Sequence, residues 1–277
     1  VFLGVFVSLS AISIGKGLQI AIKDKLYSLS PDLVISTYEN NSRGIASEKI
    51  NNFESINSEI KNTLTGIKIE KTIEKPTLIS VDNSFETVIF RGVNNGYNFR
   101  DFNKFIIGSK IKNDITNNEI IISKSLSDKL KISVGQILTL YFQVNNNQRI
   151  PNVRSFNVSY IYETDFPDYD NNYVIGNLET IQNVYKWSKN DYANIEISIE
   201  DKSQISLIEK SISLLSSFEK NNLSTKTVQS KYTNIFSWIS IFDFNILIIT
   251  FLMILVAIIS VVISLFILIF ELSLIHI

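Results

Sequence analysis

The hydrophobic pattern divides the chain into bare apolar ends and a mixed middle. Phe244 to Phe270 carries no charge, no glycine and no proline. As a helix rising about 1.5 Å per residue it reaches roughly 40 Å, against a bilayer hydrocarbon core of about 30 Å. The run predicts a transmembrane helix with room to tilt. Val1 to Ile14 is apolar apart from Ser8, Ser10, Ser13 and Gly4, and is too short to span alone, since about 20 residues are needed. No initiator Met, preceding basic stretch or small-residue cleavage site accompanies it, which argues against a signal peptide. The pattern predicts 1–15 as the C-terminal part of a first transmembrane helix and 244–270 as a second. Residues 16–243 form a domain on one side of the membrane with helical extensions at both ends, and 271–277 begin a further segment. The sequence then reads as cut inside the first span and just past the second.

In the middle, Leu18, Ile22, Leu26 and Leu29 recur at helical spacing until Pro31, so the first span continues beyond the bilayer. Residues 32–37 read as a strand. Ile50, Phe53, Ile56, Ile60 and Leu64 predict an amphipathic helix over 47–64, with Ser47 as N-cap. Strands follow at 67–81 and 84–93, with Pro76 marking an edge or bulge. A strand at 119–122, a helix at 123–130, a turn at Gly135 and strands at 136–144 and 154–162 come next. Helices at 178–187 and 203–218 flank a strand at 194–199. A last strand at 223–228 leads into a helix over 230–242. Strands and helices interleave without a βαβ rhythm, which predicts an α+β domain.

Charge changes the picture mainly by exclusion. Lys plus Arg number 26 and Asp plus Glu 27, so there is no excess positive field for a nucleic acid partner. With no cysteine and one histidine, His276, thiol chemistry, Cys-containing zinc sites and a serine triad lack material. Residues 10–17 approach a phosphate-binding loop through Gly15 and Lys16, but Ser10 and Gly17 replace required residues and the setting is a membrane helix. Asp168, Asp170, Asn172 and Glu179 have calcium-loop spacing, but Tyr173 stands where the loop needs Gly, and a polar turn is the simpler reading. The chain is expected to have no catalytic, cofactor or metal residues of its own. Any ATP chemistry belongs to another polypeptide. The Asn-rich run 145–147 is a solvated loop tip.

Several strings carry a family resemblance. NEIIISKSLSDKLKISVGQILTLY at 118–141 resembles a signature of the extracytoplasmic domain of FtsX-like ABC permeases. RGVNNGYNFRDFNKF at 91–105 and NVSYIYETDFPDYDNNYVIGNLETIQ at 157–182 are similar to segments of their lipoprotein-releasing, LolC/LolE-type branch. Residues 242–277 resemble the family's second span and the opening of its cytoplasmic coupling segment, although Leu272 and Ser273 stand where basic or polar residues are usual. The resemblance implies a MacB-like periplasmic α+β core between transmembrane helices, in a multi-pass protein of the bacterial inner membrane. It implies a non-catalytic permease subunit working with a cytoplasmic ABC ATPase, which binds the ATP, and with a second permease subunit. Lipoprotein cargo would be lifted from the membrane lipid toward a periplasmic chaperone. A same-superfamily efflux or cell-division permease, and more remotely a two-span sensor, are the alternatives.

The resemblance also assigns site residues. The loop 143–154, with Arg149, Pro151 and Arg154, lies where the lipoprotein-releasing branch has a chaperone-gripping hairpin; an ordinary solvated tip is the rival reading. Phe236 and Trp238 suit the membrane interface, where aromatic rings sit at headgroup level. Ile241 and Phe244 would flank a cargo entrance between the spans. Glu271 would meet the ATPase.

Overall fold

The computed structural model describes residues 2–39, 48–81, 84–99, 102–111, 114–143 and 150–275. They form two compact units, one of residues 1–27 with 229–277 and one of 28–228.

The first unit is a pair of long helices, α1 (Phe2–Leu29) and α9 (Thr233–Ile275). Gly4–Leu29 and Thr233–Glu271 are long and apolar enough to cross a membrane. The side chain of Gln19 donates to the Ile239 carbonyl at 3.3 Å, Gln229 donates to the Tyr27 hydroxyl at 3.2 Å, and the Tyr27 and Phe236 rings meet edge-on at 6.3 Å. A helix apolar around its whole circumference, with Phe244, Leu247, Phe251 and Phe266 all exposed, matches a hydrocarbon environment rather than water. α1 stops just before Pro31, whose ring disfavours helical backbone in the residue before it.

The second unit contains ten strands among the described residues. In chain order its elements are β1 (Leu33–Thr37), α2 (Phe53–Thr63), β2 (Ile67–Val81), β3 (Ser84–Val93), a 3-10 turn at Phe102–Phe105, β4 (Ile106–Ile107), β5 (Glu119–Ser123) and α3 (Lys124–Leu130). Then follow β6 (Ile137–Phe142), β7 (Asn152–Tyr162), the one-turn α4 (Pro167–Asp170), β8 (Tyr173–Asn177), α5 (Leu178–Tyr185), β9 (Asn194–Ile199), α6 (Ile205–Ser213), α7 (Ser216–Lys220), β10 (Leu223–Thr227) and α8 (Val228–Lys231). The 15-residue β2 organises the whole. Along one edge, Ile67–Thr72 pairs with β9 and Thr77–Ser80 with β6, so Pro76 falls where that edge is changing neighbours; the other edge pairs with β3 throughout Thr72–Val81. The order β2-β3-β8-β5-β7-β6 returns to β2 and closes a six-stranded ring, which leaves those strands no free edge. β3 with β8 and β5 with β7 are its parallel pairs. The order β10-β1-β9-β2 forms a four-stranded antiparallel sheet on the same long strand. The fold is the expected α+β type.

The ring buries Ile79, Val88, Phe90, Ile120, Ile122, Leu140, Phe142, Phe156, Val158 and Val174. Three of its rings interlock, Phe90 with Phe142 at 5.5 Å and with Phe156 at 5.6 Å. Gly176 is required there: a Cβ on it would lie 2.3 Å from Cζ of Phe90. The four-stranded sheet buries Leu33, Ile35, Ile195 and Ile197, with α6 and α7 packed on β10. A second aromatic core gathers Phe99, Phe102, Tyr162, Tyr169 and Tyr173 around Leu29 from the end of α1.

The structure corrects several sequence expectations. Ser47 lies outside the described residues, and α2 begins at Phe53 rather than 47. Ile50 N–H is taken by the Tyr192 carbonyl, and left-handed Asn52 (φ 55°) offers its own carbonyl to Ser55 and Ile56. The helix expected over 203–218 breaks at Leu214–Leu215, because Glu59 of α2 accepts from both the backbone and the hydroxyl of Ser216 and starts α7 afresh. Bonds from Ser217 and Ser216 hold the Glu59 carboxyl below its usual range. The helix expected to reach Trp187 ends at Tyr185, since Lys186 adopts the left-handed cap (φ 56°). β4, β8 and the one-turn α4 were not anticipated.

Candidate docking surface

The segment singled out as a hairpin is one. β6 and β7 pair antiparallel from Ile137 opposite Asn157 to Phe142 opposite Asn152. Arg149 and the Asn-rich tip lie outside the described residues. Pro151 immediately precedes β7 and is exposed. Arg154, expected where the loop 143–154 meets the strand 154–162, sits inside β7 opposite Leu140, because pairing continues two residues beyond the alternating pattern to Asn152. It is exposed, and its guanidinium donates to the Val153 carbonyl at 3.1 Å.

The register builds a surface around this hairpin. Thr87, Leu78, Tyr141 and Val153 stand directly opposite one another in sequence across β3, β2, β6 and β7. Directly paired residues share one face of a sheet. Leu78 and Val153 are exposed, as are Phe85 at 63%, Ile137 at 72% and Ile150 at 80%. A groove of about 400 Å³ opens here, lined by Pro76, Thr77, Leu78, Thr87, Tyr141, Gln143 and Pro151. An apolar, proline-rimmed groove beside a hairpin is suited to hold another apolar segment rather than to perform chemistry.

Behind the groove lies a group that sequence reading missed. Lys75 of β2 is buried, and its ammonium sits 4.6 Å from the centres of both the Tyr185 and Trp187 rings. Burial lowers its pKa to about 8, opposed by the Glu48 carboxylate, so it is charged at pH 7. Burial also pushes the Tyr185 phenol up to about 12, and its hydroxyl donates to the Gln143 carbonyl at 3.1 Å. Nothing local in the sequence marks Lys75, since the two rings it faces lie more than a hundred residues away.

A second buried network ties the ring to the four-stranded sheet. Arg91 of β3 donates to Glu196 of β9 at 2.7 Å, to Tyr97 at 3.2 Å and to Glu74 of β2 at 3.4 Å, while Thr72 of β2 donates to Glu196 at 2.7 Å. Burial opposes the charge on Arg91, but Glu196, with Tyr97, Tyr169 and Glu74, overcomes it and raises the pKa well above its usual value. Burial raises Tyr97 to about 12, so it remains a neutral phenol. At the root of β1, one carboxylate oxygen of Asp32 accepts from Ile199 N–H at 2.7 Å and from Lys202 at 2.5 Å, while its backbone carbonyl accepts from Val228 N–H at 3.1 Å.

The remaining nominated residues belong to the helical unit. Phe236 meets Tyr27, as described. Trp238 is exposed and meets the Phe242 ring edge-on at 4.7 Å. Ile241 and Phe244 are exposed on α9, and so is Glu271 near its end. Residues 10–17 lie within continuous α1, with no loop to cradle a phosphate. The four calcium-spaced residues are dispersed: Asp170 accepts from the backbone and hydroxyl of Thr164, the Asn172 amide donates to the Asp168 carbonyl, and Glu179 accepts from Asn117. No group of three or more His, Cys, Asp or Glu that could hold a metal occurs among the described residues.

The chain thus combines an α+β domain that carries an apolar groove with a long apolar helix at each end. The chain belongs to the MacB-like periplasmic core domain family, which residues 1–215 match. Among solved structures it is similar to the periplasmic region of MacB from Actinobacillus actinomycetemcomitans, at 16% identity over 73% of this chain and 91% of that one, with a TM-score of 0.48. It is also similar to the extracellular domain of the noncanonic ABC-type transporter YknZ from Gram-positive bacteria, at 17% identity over 71% of this chain and 99% of that one, with a TM-score of 0.46. Comparison with curated proteins gave no match. The chain therefore carries a MacB-like periplasmic core domain between two candidate membrane spans.

Proposed function

We propose that this chain is the permease subunit of an ABC transporter that releases acylated lipoproteins from the inner membrane toward a periplasmic chaperone. A separate ATPase supplies the energy and a second permease subunit completes the assembly. The first span would end near residue 15 and the second would run from 244 to 270, with Glu271 at the cytoplasmic side. The observation that carries the reading is the hairpin with its apolar flank and groove, at the position where the lipoprotein-releasing branch has its chaperone-gripping element. Exposed Leu78 in the groove wall, with exposed Phe85, Ile137 and Ile150 on the same strands and hairpin, offers a partner a surface that desolvates favourably, at roughly 25 cal/mol per Å² of apolar area. Withdrawing an acyl chain costs roughly 0.8 kcal/mol per CH₂, which explains the need for an engine and for helices that run from span into domain.

The test uses the protein with its ATPase in lipid. A photo-crosslinker at Ile241 or Phe244 should capture triacylated lipoprotein and not its unacylated form, and ATP should chase the captured species away. Pro151→Glu with Arg154→Glu should abolish chaperone pull-down at unchanged expression. A cysteine at Ile150 should react with an impermeant maleimide in intact spheroplasts. Equal capture of both cargo forms, or preferential capture of a drug or peptide, refutes lipoprotein release in favour of the efflux alternative. Labelling of Ile150→Cys only after lysis refutes the orientation.

A further inference from the structure

We infer that Tyr185 and Lys75 are positioning residues for the β6–β7 hairpin: the end of α5 is clasped onto β2, and from there it pins the hairpin's base. Seven contacts make the relay. The left-handed cap at Lys186 turns the chain so that Trp187 N–H bonds the Gln182 carbonyl at 2.8 Å, and the Gln182 side chain donates to the carbonyls of Lys189 and Asp191. That fold-back sets the Trp187 ring edge-on to Tyr185 at 6.4 Å, with the Lys75 ammonium at 4.6 Å from each ring. A desolvated ammonium facing two aromatic rings is held by their negative faces. The Tyr185 hydroxyl then donates to the carbonyl of Gln143, the residue directly after β6.

The place where this happens gives the relay its purpose. Among the described residues, β2 pairs with β9 up to Thr72 and with β6 from Thr77 onward, and Lys75 and Pro76 fall in the gap between those two ladders. α5 packs against β2 and β3, and its terminal rings supply a side-chain link at that gap. Pro76 and Gln143, adjacent in sequence to Lys75 and bonded to Tyr185 respectively, both line the groove. The relay therefore sets where the hairpin base stands and how wide the groove opens. The inference goes beyond the proposed transport role and holds whatever the hairpin meets.

Hydrogen–deuterium exchange of the full chain in lipid nanodiscs at pH 7 tests it without any partner. Tyr185→Phe removes the hydroxyl and keeps the ring. It should speed exchange in peptides covering 137–143 and 150–157 by about two- to tenfold while leaving 186–192 unchanged. Lys75→Met should loosen both the hairpin and the 186–192 turn by up to about tenfold, and Lys75→Arg should restore both. Peptides from β1 and β10 report general destabilisation and should not change in any variant. Unchanged hairpin exchange in Tyr185→Phe, Lys75→Arg indistinguishable from Lys75→Met, or loosening that extends equally to β1 and β10 would each overturn the inference.

Discussion

Replacing Arg91 by Met tests the claim that the ring and the four-stranded sheet are locked together by charge. The side chains of Arg91 and Glu196 are both 4% exposed, and their bond is 2.7 Å long. Met keeps the volume and removes the charge, leaving the Glu196 carboxylate buried with the Thr72 hydroxyl as a donor. Breaking a buried pair from one side costs about 3–5 kcal/mol, because the surviving charge loses its compensation. In urea unfolding of residues 28–228, with a slope of about 2 kcal/mol per molar, the midpoint should fall by roughly 2 M. The double variant Arg91→Met/Glu196→Met removes both charges and should recover at least about 2 kcal/mol of the loss. A single-variant loss below about 1 kcal/mol, or strictly additive behaviour in the double variant, would refute the reasoning.

Three further outcomes are expected. Gly176→Ala places a methyl against the enclosed Phe90 ring, and overpacking of about 1–3 kcal/mol should lower the melting temperature by several degrees. Because Glu59 titrates below its ordinary 4.5, its contribution to the start of α7 is complete above that value and is lost as pH falls through the depressed one. Amide exchange at Ser216 should rise in that acid range, and Glu59→Gln should show the raised rate at neutral pH and no further acid step. Glu271→Lys should uncouple ATP hydrolysis from transport in the assembled permease, and normal coupling by transport assay would remove this residue from the partner interface.

Where a signal was local, the sequence showed it. β2, β3 and β9 begin and end at the expected residues, because alternation of β-branched residues is a short-range signal. Pro31 and Ser123 punctuate helices as their chemistry dictates, Ser123 accepting from Leu126 N–H at 3.1 Å. β8 escaped because all five residues of YVIGN are buried, and a strand covered on both faces shows no alternation. The break before Ser216 depends on Glu59, 157 residues earlier. Ring closure depends on β6 meeting the far half of β2, which no window along the chain contains. The hairpin was legible as a turn between two strands. Its groove and its relay were not, since they arise from β3, β2 and α5 converging on it.

The shared strand has a mechanical consequence. β1 lies between β9 and β10, and β9 lies between β1 and β2. Asp32, at the start of β1, bonds the end of β9 through Ile199 and the first residue of α8 through Val228. A displacement of β1 must therefore either break the β9–β2 ladder or carry β2 with it. The ladder runs over six consecutive residue pairs from Ile67 to Thr72, and Arg91 crosses its end by joining Glu196 to the third strand, β3. Carrying β2 means carrying the ring, because β2 is one of its six staves and a closed ring has no edge at which to yield. Among the described residues, residues 73–76 of β2 lie between the ladders to β9 and β6, held by β3 on their other edge. That is where Lys75 and the aromatic end of α5 sit, and where the groove begins.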